Sequence, residues 1–152
     1  MVSFFLATGV RLGTLMKVRI EDLDFGSGLI FIRTAKNRRQ QYIPMAENLM
    51  PVLKEYLQYR HGEPADLLFC NAYGKPLTEN SIRTCVRKHN KNRGVERSSV
   101  HAFRHTFGKA WVLSGGDPYR LQDIFGHSTL HCSHTLRISA TTTFFHIYVF
   151  EF

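Results

Sequence analysis

Through most of the chain before residue 131, apolar residues recur at the spacing of an α-helix. This pattern constrains the fold more than any other feature of the sequence. The exception is "LIFIRTAKNRRQQYIPM", in which two β-prone runs, Leu29–Ile32 and Gln41–Ile43, flank a basic turn around Lys36–Arg39. Two such runs joined by a short polar segment predict a β-hairpin. We therefore expect a mainly α-helical fold with one small antiparallel sheet.

The helical segments are bounded by residues that start or stop helices. Thr8-Gly9 ends the first helix, Thr78 and either Ser98 or Ser99 are N-caps, and Asp117-Pro118 combines a cap with proline in the first turn. The apolar opening has no capping residue before it, so further helices are expected upstream. The expected helices are Val2–Ala7, Val10–Val18, Glu47–Tyr59, a basic helix from Thr78 to near Gly94, about Val100–Ser114, and one beginning at Asp117-Pro118.

Charge indicates the class of partner. The 152 residues make one domain with a formal net charge of +8, which suits a polyanion such as DNA. A basic run of this kind is commonly a solvated helix face, but this one leads into a histidine- and arginine-rich segment, which favours a surface that follows DNA phosphates. Between residues 83 and 109 the basic residues, opposed only by Glu96, are Arg83, Arg87, Lys88, Lys91, Arg93, Arg97, Arg104 and Lys109.

Cysteine usage and hydropathy indicate the compartment. Cys70, Cys85 and Cys132 are few and widely spaced, which argues against a disulfide framework and favours a reducing cytoplasm. The start of the chain lacks the basic n-region of a signal peptide. No apolar run approaches the ~20 residues that span a bilayer, so no membrane partner is expected.

The segment "HAFRHTF" has the composition of an anion site. His101 and Arg104 are three residues apart, so on a helix they project from one face, close to a helix N-terminus that itself favours anions. A guanidinium fork beside an imidazole is well suited to hold a phosphate. On its own, however, such a pair is as typical of a helix surface.

Four motifs in order place this pair in a wider pattern: "ATGVRLGTLMKVRIEDLDF", "TAKNRRQQYIPM", "HAFRHTF" and "IFGHSTL". From about Phe5 to Leu130 the chain resembles the catalytic domain of the tyrosine recombinases, the phage-integrase family. The resemblance implies the DNA breaking-rejoining enzyme fold. It also implies DNA integration or site-specific recombination, in which DNA is cut and rejoined through a 3′-phosphotyrosine. Double-stranded DNA is the implied partner, bound by several copies of the protein, without a cofactor or metal.

The resemblance also assigns roles to residues. Arg11 and Arg104 would bind the non-bridging oxygens of the scissile phosphate. His101 would act in general acid–base catalysis, and His127 would form a hydrogen bond with the phosphate. Two fixed guanidiniums can stabilise the extra negative charge of a phosphodiester transition state. His105 is interpreted as a structural neighbour.

The hairpin turn carries the remaining catalytic candidate. The family spacing to Pro44 selects Lys36 as the residue that protonates the leaving 5′ hydroxyl, although "KNRR" could simply be a solvated turn that steers DNA. Residues predicted to contact DNA outside the catalytic set are Arg38, Arg39, Arg83, Arg87, Lys88 and Lys91.

The sequence departs from the family where the nucleophile belongs. In the family, the nucleophilic tyrosine follows by nine residues the histidine that corresponds to His127. Leu136 stands at that position here, and no tyrosine lies between Tyr119 and Tyr148. Tyr148 is a poor substitute, because in-line attack tolerates little misplacement. We therefore expect a partial catalytic domain at 1–130, a divergent tail at 131–152 of the kind a frameshift produces, and impaired or absent catalysis.

Two alternatives remain open at this point. One is a noncatalytic DNA-binding or regulatory module that uses the same basic face. The other is a metal site in "HSTLHCSH", but no second ligand cluster stands at a recognised spacing, so no metal is expected.

Overall fold

The computed structural model describes residues 1–33, 40–95 and 99–125. As expected, these residues form a mainly helical fold with one small antiparallel sheet. None of the helices in these three ranges has the length and apolar character needed to cross a membrane. The helices are α1 Val2–Thr8, α2 Leu12–Leu15, α3 Leu49–Arg60, α4 Glu79–Asn92, α5 Val100–Leu113 and α6 Pro118–Phe125.

The sheet has three strands, β1 Leu23–Asp24, β2 Leu29–Ile32 and β3 Gln41–Pro44, in the order β1-β2-β3. The two strands expected from the sequence, β2 and β3, pair antiparallel with Ile30 opposite Ile43, so the predicted pairing is confirmed. Ile30 and Ile43 are both buried and direct this face of the sheet toward the core. The third strand was not predicted, because two residues are too short to show an alternating pattern.

The first helix packs on the helix that carries "HAFRH". The ring of Phe5 in α1 stacks on Phe103 of α5 with 5.9 Å between the centroids, and Phe4 meets Phe69 edge-on at 5.4 Å. After Thr8, Gly9 adopts φ 60°, the left-handed conformation that closes a helix, as the sequence predicts. This close packing brings the turn after α1 beside α5.

The second helix is shorter than expected. The prediction of a helix over Val10–Val18 is wrong at both ends, because Arg11 is extended, with φ −76° and ψ 153°, and the helix covers only Leu12–Leu15. At the far end the carbonyl of Val18 accepts a hydrogen bond from the backbone N–H of Leu68 at 2.8 Å. Where a longer helix was expected, Val18 thus pairs with a segment distant in sequence, which local periodicity does not reveal.

The two helices that bear the basic residues have the predicted caps. The side chain of Thr78 accepts a hydrogen bond from the N–H of Ser81 at the start of α4, and that of Ser99 accepts from Ala102 at the start of α5. Each cap satisfies one of the backbone donors that a helix N-terminus leaves without a partner. Ser99 thereby fixes the turn from which His101 projects.

Candidate functional site

A shallow depression lies where the turn after α1, the start of α2, and helices α4 and α5 meet. It contains three of the five predicted catalytic residues, Arg11, His101 and Arg104, together with Arg83 from the basic helix. Val10, Leu12 and Val100 supply its apolar lining. The fold thus gathers three cationic side chains and an imidazole around one concave surface.

Arg104 is the most firmly held member of this group. Its Nη1 donates to the carbonyl of Gly9 and its Nη2 donates to the carbonyl of Phe125, both at 2.8 Å. The guanidinium carbon also lies 3.7 Å from the centroid of the Phe125 ring. Arg104 therefore links the turn before Arg11 to the end of α6, the helix that comes shortly before His127 in the sequence.

Arg11 is half-buried at the N-cap of α2. Burial lowers the pKa of Arg11 below its ordinary value, because removal of water penalises the charged form. An arginine remains protonated under such conditions, and a partly desolvated cation gains more from a bound anion than a fully hydrated one. This favours an anion beside Arg11.

His101 and His105 both lie on α5 and are exposed. His101 lines the depression in the first turn of the helix, where the helix dipole also favours negative charge. His105 is absent from the lining residues of the depression, which agrees with leaving it out of the catalytic set. Its interpretation as a structural neighbour remains a prediction.

The predicted DNA-contacting residues of α4 form one exposed face. Arg83 lies at the edge of the depression and forms an ion pair with Glu79 at 3.1 Å, one turn earlier. The other three, further along the helix and all exposed, are Arg87, Lys88 and Lys91. We call these four residues the α4 basic face. Because Arg83 belongs to both features, the depression and the α4 basic face form one continuous cationic surface.

His89 on α4 gives this helix a pH dependence. Burial lowers its pKa below the ordinary value of 6.5, and the charge of Arg93 lowers it further. Arg93 Nη1 lies 3.2 Å from His89 Nδ1, and since arginine can only donate, the ring nitrogen must accept. The folded chain therefore favours neutral His89.

We expect the stability associated with neutral His89 to be present above pH 6.5 and lost as the pH falls below it, because the unfolded chain then binds the proton more readily. The variant His89→Gln should lose less stability than the unchanged chain between about pH 7 and pH 5, as measured by urea denaturation. Arg93→Gln, which retains the histidine, should give an intermediate result. If the unfolding free energy of His89→Gln fell as steeply toward low pH as that of the unchanged chain, this explanation would be contradicted.

Two predicted catalytic residues, Lys36 and His127, lie outside the described residues, as do Arg38 and Arg39 and the positions Leu136 and Tyr148. The histidine and cysteine cluster of the tail lies outside them too. Within 1–33, 40–95 and 99–125, no group of three or more His, Cys, Asp or Glu side chains is arranged to hold a metal ion.

Sequence reasoning missed how the site is supported. The carbonyls of Gly9 and Phe125 and the ring of Phe125 hold Arg104, yet neither residue has catalytic chemistry of its own. Their only signal in the sequence is their position inside the "ATGVR" and "IFGH" motifs.

Comparison with known proteins defines the class to which this fold and site belong. The Phage integrase family profile matches residues 1–142, so the chain belongs to that family. Tyrosine recombinase XerC of Oceanobacillus iheyensis is 30% identical over 143 residues, which cover 86% of this chain and 45% of the relative. XerC of Chlamydia caviae is 31% identical over 137 residues, covering 86% of this chain and 43% of the relative.

Solved structures agree with this assignment. The crystal structure of XerA recombinase matches with a TM-score of 0.77 and 30% identity, over 86% of this chain and 49% of that one. XerH site-specific recombinase, bound to its difH substrate before cleavage, matches with a TM-score of 0.74 and 26% identity, over 88% and 40% of the two chains. The resemblance to tyrosine recombinase catalytic domains and the expected fold are both confirmed.

The chain spans less than half the length of the curated relatives it matches. The family match runs to residue 142, past the boundary at residue 130, and that boundary remains a prediction.

Proposed function

We propose that this chain binds double-stranded DNA with one backbone phosphate in the depression between Arg11 and Arg104. The observation that carries the proposal is the convergence of Arg11, His101, Arg104 and Arg83 on one concave surface. The α4 basic face continues that surface and would follow the neighbouring phosphates. The comparisons support the same partner, since the related XerH structure is bound to its difH substrate and the Tn1549 transposon integrase, 26% identical, is in complex with a circular intermediate DNA.

The inherited chemistry is the cutting and rejoining of DNA at that phosphate. Arg11 and Arg104 would stabilise the charge that accumulates on the non-bridging oxygens, and His101 would exchange a proton at the same centre. Lys36, as proton donor to the leaving hydroxyl, and His127, as a further phosphate ligand, complete the proposed set. This chemistry needs only side chains and DNA.

We further propose that the covalent step is impaired. A 3′-phosphotyrosine requires a tyrosine hydroxyl in line with the phosphorus, and Leu136 occupies the position nine residues after His127. The chain would then bind DNA noncovalently, in several copies, as expected for its family. The cytoplasm remains the proposed compartment, and Cys70 and Cys85 are free thiols.

A nicked suicide duplex tests the covalent step. Cleavage of such a duplex traps any phosphotyrosine, so denaturing electrophoresis detects the adduct directly. We expect salt-sensitive binding without an adduct, and the same titration gives the number of copies bound. An adduct that disappears in Tyr148→Phe would show that the tail supplies the nucleophile, and failure to bind DNA at low salt would overturn the proposal as a whole.

Substitution of Arg104 should weaken DNA binding more than substitution of the α4 basic face. Arg104→Lys keeps the charge but loses the planar fork, so we expect affinity to fall about tenfold. Arg87→Lys is the matched control, because an exposed arginine that only follows phosphates is replaced by lysine with little loss. Fluorescence anisotropy at several salt concentrations measures both.

Equal affinities for Arg104→Lys and Arg87→Lys would contradict a specific phosphate clamp. They would favour the noncatalytic DNA-binding module, in which Arg104 acts as one charge among many.

A further inference from the structure

The guanidinium of Arg104 rests on an aromatic platform. Its central carbon is 3.7 Å from the ring centroid of Phe125, within the range of a cation–π contact, and the carbonyl of the same residue accepts from Nη2 at 2.8 Å. The ring limits movement of the guanidinium toward it, and the hydrogen bond holds Nη2 in place. One residue thus restrains the guanidinium through two contacts.

The Phe125 ring itself occupies a slot formed by two glycines. A Cβ on Gly9 would lie 3.0 Å from Cε1 of the ring, and a Cβ on Gly108 would lie 3.3 Å from both Cε2 and Cζ. Phe107 closes the slot, with 6.0 Å between the two ring centroids. The turn after α1, helix α5 and the end of α6 therefore share in holding this ring in place.

Packing alone does not account for this arrangement. An aliphatic side chain could fill the same apolar slot and would leave the backbone carbonyl bond to Arg104 intact. Only an aromatic ring adds a negatively polarised face beneath the cation. Arg104 also donates a hydrogen bond to the carbonyl of Gly9, so the Phe125 ring acts together with this contact in holding the guanidinium.

We propose that Phe125 is a positioning residue that holds the Arg104 guanidinium in the plane and orientation it needs to receive a DNA phosphate. The contact itself stands on the geometry above, and its consequence for DNA rests on the proposed function. Phe125 touches no phosphate in this proposal and acts only through Arg104.

The first experiment needs no DNA. In the full chain labelled with 15N, the Hε of Arg104 should resonate upfield of the ordinary arginine position, because the Phe125 ring current shields it. Arg104→Lys identifies the signal by its disappearance. Phe125→Leu should return the signal toward the ordinary position, whereas Phe107→Leu, which removes a ring from the same cluster but none from beneath the guanidinium, should retain most of the displacement.

The second experiment is a double-mutant cycle on binding of a short DNA duplex. Phe125→Leu should lower affinity about three- to tenfold in the unchanged background, and by much less in an Arg104→Ala background, where no guanidinium is left to position. Phe125→Tyr retains the ring but adds a hydroxyl at Cζ beside Gly108, and it should lose less affinity than Phe125→Leu. A residue important only for folding would give the same loss in both backgrounds.

The outcomes separate the two proposals. An Arg104 Hε signal at the ordinary position in the unchanged chain would overturn the platform, whatever the DNA result and whether or not the variants fold. A displaced signal in a chain that does not bind DNA supports the platform and overturns the proposed function. DNA binding that Phe125→Leu leaves intact would overturn positioning while the proposed function stands.

Discussion

The variant Gly9→Ala is expected to lose about 3 kcal/mol of unfolding free energy. Gly9 has φ +60°, a conformation that L-residues adopt only at a cost. Its new Cβ would also lie 2.5 Å from Cδ1 of Phe107 and 3.0 Å from Cε1 of Phe125, within a packed aromatic cluster. Those rings must move, and with them the carbonyl that binds Arg104. Chemical denaturation followed by circular dichroism measures the loss.

Gly74→Ala provides the matched control for Gly9→Ala. Gly74 has φ +74°, but nothing lies within 4 Å of the Cβ it would gain. It should lose only the backbone contribution, about 1 kcal/mol. Equal losses in the two variants would show that the aromatic cluster accommodates the methyl group and that the slot is loose.

The parts of the fold that the sequence predicts well are those set by neighbouring residues. Thr78 and Ser99 cap their helices as expected, because an N-cap needs only a short polar side chain and the next backbone donors. Gly9 ends α1 for the same kind of local reason. The pairing of β2 with β3 follows from two β-prone runs separated by a short segment.

Long-range contacts decide what the sequence predicts poorly. Beyond α2, Val18 forms a hydrogen bond with Leu68 in place of a longer helix, and no local pattern predicts that pairing. The candidate site shows the same division: charge and motif order select Arg11, His101 and Arg104, but not the ring and carbonyls that hold Arg104. Those supports are apolar or backbone groups, whose role depends on where the fold brings them.

A second large effect is expected at Asp22, in the helical turn before β1. Its side chain is only 1% exposed, and its two oxygens accept from different donors: Oδ1 from Nε of Arg33 at 2.7 Å and Oδ2 from the backbone N–H of Arg19 at 2.8 Å. Asp22→Asn replaces one acceptor by an NH2 group, which then faces a donor in a buried place. We expect a loss of about 2–4 kcal/mol in unfolding free energy, measured by urea denaturation at neutral pH.

Glu21→Gln tests whether the loss of stability expected for Asp22→Asn comes from the burial of Asp22 or from its charge. Glu21 Oε1 accepts from Nη2 of the same Arg33 at 2.7 Å, but its side chain is 39% exposed, so water can replace the lost interaction. The hydrogen bond to Asp22 is also the largest cause that raises the pKa of Arg33 above its ordinary value. Glu21→Gln should therefore cost much less than Asp22→Asn, and similar losses would mean that Asp22 contributes charge rather than a buried double acceptor. Because Arg33 follows directly on β2 and precedes the segment that contains Lys36, the pair of Asp22 and Arg33 would stabilise the base of the hairpin.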